Sequence, residues 1–208
     1  MLKRFISVLL IIVMTIGFLP SQTSNATIGV TCWYSDDYKI GWWESNYLKV
    51  YCNKLNSNNS FYFLDGMTHA TGQWTGALGI TVSSGISGYY ATDPQVYYSG
   101  GTRAEIETVW DGLVPSDNTG HTRYFYYYNC PIYFNSHSFS GETLVFATGY
   151  IVDMGNPLST MKKTCTHELG HALGWFGHSS DSSDIMYSLS SSITALSSRD
   201  KAHLSQVY

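Results

Sequence analysis

Hydrophobic and polar residues follow three different rhythms along this chain. The first is a largely apolar run from Phe5 to Leu19, preceded by Lys3 and Arg4 and followed by the small-residue pattern Ser24-Asn25-Ala26. A basic start, a short apolar stretch and small residues at its end predict a cleavable signal peptide over residues 1–26. The run falls short of the roughly 20 residues that cross a bilayer, so an uncleaved anchor is the lesser alternative. No second long apolar segment follows. The pattern therefore predicts a secreted, extracellular chain with no stable membrane association once the leader is removed.

The second rhythm is helical. Phe61, Leu64, Met67, Ala70 and Trp74 recur at intervals that predict an amphipathic helix over Phe61 to Ala77. A short helix is expected over Arg103 to Trp110, opened by Thr102. A third helix should run through Thr164, His167 and His171, with Ser159 as its N-cap and Gly174 as its stop. Ser197 or Ser198 can cap a last helix reaching Gln206.

The third rhythm is that of strands. Tyr47 to Cys52, Gly79 to Val82, the aromatic stretch Thr122 to Phe134 and Leu144 to Asp153 all favour extended chain. No repeat, low-complexity tract or block of charge divides residues 27–208, and that length suits a single domain.

Composition narrows the partners. The whole chain has a formal net charge of −4, and removing the leader takes away two basic residues and no acidic ones. An acidic, aromatic-rich domain argues against nucleic acid or an anionic membrane as its main partner. All four cysteines, Cys32, Cys52, Cys130 and Cys165, lie after the leader, where export allows disulfides. The short loop favours Cys32 with Cys52, leaving Cys130 with Cys165. Free buried thiols are the competing reading, since a domain of this length does not need staples.

The chemistry is concentrated in His167-Glu168-Leu169-Gly170-His171-Ala172-Leu173-Gly174-Trp175-Phe176-Gly177-His178. Positions four apart on a helix share a face, so His167 and His171 can converge on one metal ion. Glu168 then projects to the rim, within reach of a water but outside the ligand set. Gly174 lets the chain reverse beneath the ion, and His178 returns as a third nitrogen. Two histidines around a glutamate also occur on ordinary amphipathic helices. Here the downstream glycine, the further histidine and the export leader together favour a zinc site.

These residues resemble the metzincin zinc peptidases, whose signature HExxHxxGxxH precedes a methionine-containing turn. HELGHALG is closest to the matrixin branch, Asp184-Ile185-Met186-Tyr187 looks like its Met-turn, and Leu196 to Tyr208 is similar to its closing helix. The resemblance implies an α+β fold: a zincin-like twisted mixed sheet with an active-site helix, and a small C-terminal subdomain containing the Met-turn and a final helix. It implies one catalytic Zn2+, with Met186 as a structural floor and the segment at Tyr187 lining a pocket beside the scissile bond. It also implies a secreted zinc metalloendopeptidase in which Glu168 is the general base and acid, and protein or peptide the substrate. An extended substrate would lie along a sheet edge, either Cys130 to Phe134 or Leu144 to Ile151.

The chain departs from the signature at one point. Gly177 stands where the third histidine is expected, and His178 follows one position late. Asp181 and Asp184 are the fallback ligands. Two other readings share the metal site: a zinc-stabilised binding module without turnover, and a zinc amidase acting on cell-wall peptides. No ligand pattern in the Asp/Ser/Gly loops identifies a Ca2+ site. His69, His137 and His203 have no ligand partner at a convincing spacing and are expected to be structural or surface residues, His137 in a polar loop.

Overall fold

Burial alternates along Tyr47–Lys54, with Leu48, Val50 and Cys52 inside and Tyr47 and Lys49 outside. That is the period of a strand with one face on a core. In the computed structural model this segment, β3, is one strand in from the edge of the sheet that carries the site. The structure describes residues 28–29, 40–45, 47–78, 81–86, 96–134, 137–189, 191–206 and 208. The leader, its expected cleavage point and Cys32 lie outside them, as does the side chain of Cys130.

The remaining strands are β1 (Ile28–Gly29), β2 (Gly41–Trp42), β4 (Thr81–Ile86), β5 (Val96–Gly101), β6 (Gly120–Phe134) and β7 (His137–Val152). They form a seven-stranded sheet in the order β1-β6-β7-β5-β3-β4, with β2 joined to β7. β6 and β7 are antiparallel and every other pairing is parallel. The sheet is mixed, as the resemblance implied.

This order corrects the expected substrate edge. Leu144–Ile151 belongs to β7, which is flanked by β6 along that stretch and by β5 from Ala147 onward. In Cys130–Phe134 the far side is partly covered, because Ile132 and Tyr133 pair with β1. The start of β6, from Gly120 to Tyr124, pairs only with β7 among the described residues. His137 is likewise the first residue of β7, paired across the hairpin with Phe134, and not part of a loop.

Two longer helices pack on the sheet. Helix α1 (Phe63–Thr75) buries Met67, Ala70 and Trp74 of the predicted face, with Phe63 buried in place of Leu64 and Phe61 lying before the helix. Helix α3 (Leu158–Ala172) lies against it, at a separation set by glycine. A Cβ on Gly66 would come within 2.7 Å of Cys165 Sγ, and one on Gly170 within 2.8 Å of the Trp74 ring. Trp74 Nε1 then donates to the Thr166 carbonyl at 2.9 Å.

Between them, α2 (Arg103–Glu107) is opened by a Thr102 capping box and ends before the expected Trp110. The N-cap of α3 is Pro157, in extended conformation, which places Ser159 inside the first turn. Proline's fixed φ suits that entry, and no hydroxyl cap is formed. The last helix, α4 (Ser198–Leu204), is capped by Ser197. No described helix is long and apolar enough to cross a membrane.

The favoured cysteine pairings are not formed, and the competing reading of buried thiols describes Cys52 and Cys165, both free. Cys165 faces the α1 contact with its Sγ 3.9 Å from the Phe63 carbonyl, while Cys52 sits in the main core. Burial pushes the Cys52 thiol up to about 12 and raises that of Cys165 as well, so both stay protonated and inert.

Helix α3 stops at Gly174, whose φ is +110°. Gly41 N donates to Gly174 O at 3.0 Å, so β2 is fastened to the helix stop. A Cβ on Gly174 would lie 2.0 Å from Gly41 O. Gly174→Ala combines a left-handed backbone with a clash against main chain and should destabilise by about 3 kcal/mol or more. Urea unfolding of the two proteins measures this.

His203 on α4 is fully buried, with its ring 3.9 Å from that of Trp175. Burial lowers its pKa from 6.5 to about 4. As the pH falls below about 6.5 the unfolded chain takes up this proton first, so stability is present above that pH and lost as it falls through about 4. His203→Phe should remove about 3 kcal/mol of that loss, read as a smaller drop in urea midpoint between pH 7 and pH 4.

Candidate metal centre

The three histidines predicted from the sequence meet at one point. His167 and His171 stand one turn apart on α3 with their Nε2 atoms 3.1 Å apart. His178 stacks on His167 with ring centroids at 5.2 Å and meets His171 edge-on at 5.1 Å. One ligand atom from each of the three lies within 4.8 Å of the others, a grouping able to hold a metal ion.

Backbone carbonyls decide which nitrogens face the centre. His167 Nδ1 lies 2.8 Å from Ile185 O, and His171 Nδ1 lies 2.7 Å from Trp175 O. A carbonyl only accepts, so each Nδ1 carries the proton and each Nε2 presents a lone pair inward. Two facing acceptors 3.1 Å apart have no proton to share, which is the arrangement a cation completes. Burial, aided by the neighbouring imidazole of His171, drives the His167 pKa well below its ordinary value. Burial likewise takes His171 down to about 3, with the Trp175 carbonyl opposing. Neutral imidazoles with converging lone pairs fit zinc by donor type and number.

The late position of His178 is absorbed by the turn. Trp175 and Phe176 are both buried, and Phe176 stacks on Tyr124 of β6 at 4.1 Å. Gly177 then adopts φ +85° and turns the chain so that the next residue, His178, enters the site. The additional residue is accommodated by one left-handed glycine.

Neither aspartate joins the histidines. Asp184 is buried and accepts from Ser179 Oγ at 2.5 Å, Ser197 Oγ at 2.7 Å and Arg199 Nε at 2.7 Å. Asp181 is held by Ser183 and ion-paired to Arg199. Both are committed to closing the loop that leads to Met186.

Beneath the site, Met186 is fully buried and its Sδ would lie 2.4 Å from a Cβ on Gly170. Asp200, also fully buried, accepts from the backbone nitrogens of Ile185 at 2.8 Å, Met186 at 3.3 Å and Ser197 at 2.9 Å. One carboxylate thus joins the start of α4 to the turn whose carbonyl orients His167.

Glu168 is buried beside the histidines, where Thr122 Oγ1 donates to its Oε2 at 2.7 Å. Tyr98 Oη is 2.7 Å from Thr122 Oγ1 and 2.7 Å from the Glu168 carbonyl. Burial pushes the Glu168 pKa up to about 7, while Thr122 and Lys163 pull it down. Gly120 lets β6 come this close, since a Cβ there would sit 2.9 Å from Glu168 Cγ. The histidines, Glu168 and the start of β6 border a cleft of about 330 Å³.

Sequence reasoning missed Tyr98, Thr122, Lys163 and Asp200, and also His121, which lines the cleft. Only Lys163, one turn before His167, has a spacing that links it to the histidines. The sheet order and the return of α4 bring in the others.

With its Met-turn below the active-site helix, the mixed sheet and paired long helices make a metzincin-like α+β fold. Residues 100–208 match the family model described as Matrixin. That is just over half of the chain, and the chain belongs to the matrixin family. Membership supports a zinc metallopeptidase, a hydrolase acting on proteins or peptides. No curated protein matches the chain.

Asp200→Ala would strip three backbone N–H groups of their acceptor and should cost about 3 kcal/mol. Asp200→Asn, which keeps one oxygen, should lose less. Thermal unfolding of both variants ranks them.

Proposed function

We propose that the chain is a secreted zinc endopeptidase of one catalytic domain, residues 27–208, made with a signal peptide over residues 1–26. His167, His171 and His178 hold the ion and Glu168 is the general base. The observation that carries this reading is the pair of carbonyl-fixed imidazoles, whose free nitrogens face each other beside a third histidine and a buried carboxylate.

When bound, zinc supplies a Lewis acid that activates water near neutral pH and polarises a peptide carbonyl. The chain's own residues do the rest. Thr122 holds Glu168 Oε2, which leaves Oε1 to accept the proton of the attacking water and return it to the departing amine. A carboxyl titrating near 7 is suited to both transfers, because it gains and loses a proton with little free-energy difference at neutral pH. The start of β6 has an unpaired edge along the cleft among the described residues. Its backbone groups can hold an extended peptide with little demand on sequence.

Glu168→Gln should keep one zinc per chain by elemental analysis while cleavage of a denatured protein falls by about a thousandfold; full activity in that variant would sink the mechanism. His178→Ala should weaken zinc binding by about a hundredfold or more, whereas Asp181→Ala should leave it unchanged. Competition against a chromogenic chelator reads both.

A further inference from the structure

Of the described residues lining the cleft, Lys163 alone carries a lasting positive charge. It lies on α3 one turn before His167, so it shares the helix face that carries the paired imidazoles. The residue is 6% exposed, and among the described residues Nζ makes one hydrogen bond, to Tyr187 O at 2.9 Å. That leaves two of its three N–H donors uncommitted. Among the described residues both ion pairs belong to Arg199, and none of their carboxylates stands within ion-pair distance of Lys163.

An ammonium in this position is costly. Its desolvation is opposed by one neutral carbonyl and, from beyond ion-pair distance, by the carboxylates of Glu168 and Asp200, whereas a buried cation is well compensated only by an opposite charge in direct contact. The chain leaves that place open on the side of the cleft, where Thr164, His167 and Ser188 complete the wall. Four residues of helix advance about 6 Å, and an extended peptide advances about 3.3 Å per residue. A group meeting Lys163 therefore lies within about two residues of the bond held at the histidines.

We propose that Lys163 makes this cleft select a peptide carboxylate beside the scissile bond, carried either on an Asp or Glu side chain or on the free C-terminus. The inference rests on the peptidase reading and names the substrate class of the same site. The carboxylate would replace lost water at the two open donors, a charge-assisted contact that a neutral amide of the same shape cannot match.

Matched fluorogenic peptides with Glu, Gln or Leu at each position within two residues of the cleaved bond test this, alongside a peptide whose C-terminus falls in that range as acid or amide. The zinc-loaded wild type should show kcat/KM for Glu over Gln of about tenfold or more at one position. That ratio should fall to about one in Lys163→Met, survive in Lys163→Arg and invert in favour of Gln in Lys163→Glu. A preference confined to the terminal acid assigns the free C-terminus; one shared by internal Glu peptides assigns the side chain. Titration of the Glu and Gln peptides into Glu168→Gln protein by calorimetry gives a readout that needs no turnover. If no peptide is cleaved yet Glu binds more tightly than Gln in a Lys163-dependent way, the peptidase reading fails and the carboxylate site stands. Equal kcat/KM and equal binding for Glu and Gln, or a preference unchanged in Lys163→Met, overturns the proposal.

Discussion

Two hydrogen bonds from imidazole to backbone organise the site. Ile185 O and Trp175 O each take the Nδ1 proton of a helix histidine, and neither carbonyl belongs to the helix itself. One comes from the turn above Met186 and the other from the chain just past Gly174. The tautomers of His167 and His171 are therefore set by how the chain returns after α3 ends. Asp200 fixes the first return by holding the Ile185 and Met186 nitrogens, and Gly174 fixes the second by reversing the chain against Gly41. Helical spacing brings the two rings together, while the C-terminal segment decides which atoms they present.

The other half of the site is a dry carboxylate. Glu168 is reached from the sheet by Thr122 and Tyr98, side chains on β6 and β5. Their contact requires α3 to lie close on the sheet, and the chain secures this with small residues. Gly120 admits the Glu168 side chain, and Gly149 on β7 leaves room for the Tyr98 ring, which a Cβ there would meet at 2.2 Å. Packing and acid–base tuning are thus one constraint: the approach that buries Glu168 also supplies the hydroxyl that orients it.

Much of this was legible in the sequence, for identifiable reasons. The spacing of His167, His171 and Gly174 is a local property of a helix and its stop, and Thr102 and Ser197 announce their helices by cap chemistry. The helical spacing of Met67, Ala70 and Trp74 is equally local. What failed was non-local. Strand order cannot be read from strand propensity, so β7 looked as suitable an edge as β6. Ser159 looked like a cap, but Pro157 already supplied the extended residue before α3. Loop length favoured Cys32 with Cys52 and left Cys165 for Cys130, yet Cys52 and Cys165 both face the core as thiols. Lys163 reads in isolation as an ordinary solvated helix position; the Met-turn folds back over it and makes it part of the cleft.

The short arc that bears His178 is pinned at both ends. Trp175 is tied by its nitrogen to Gly170 O and by its carbonyl to His171, and Ser179 N is tied to Met186 O. Only Phe176, Gly177 and His178 lie between these pins, and Phe176 is itself stacked on Tyr124. An arc of this length has little conformational freedom left to surrender. The entropy of gathering three donors is therefore lost when the chain folds and not when the ion arrives. In chelate terms the site is preorganised, and the free energy of binding a metal there would go largely into coordination.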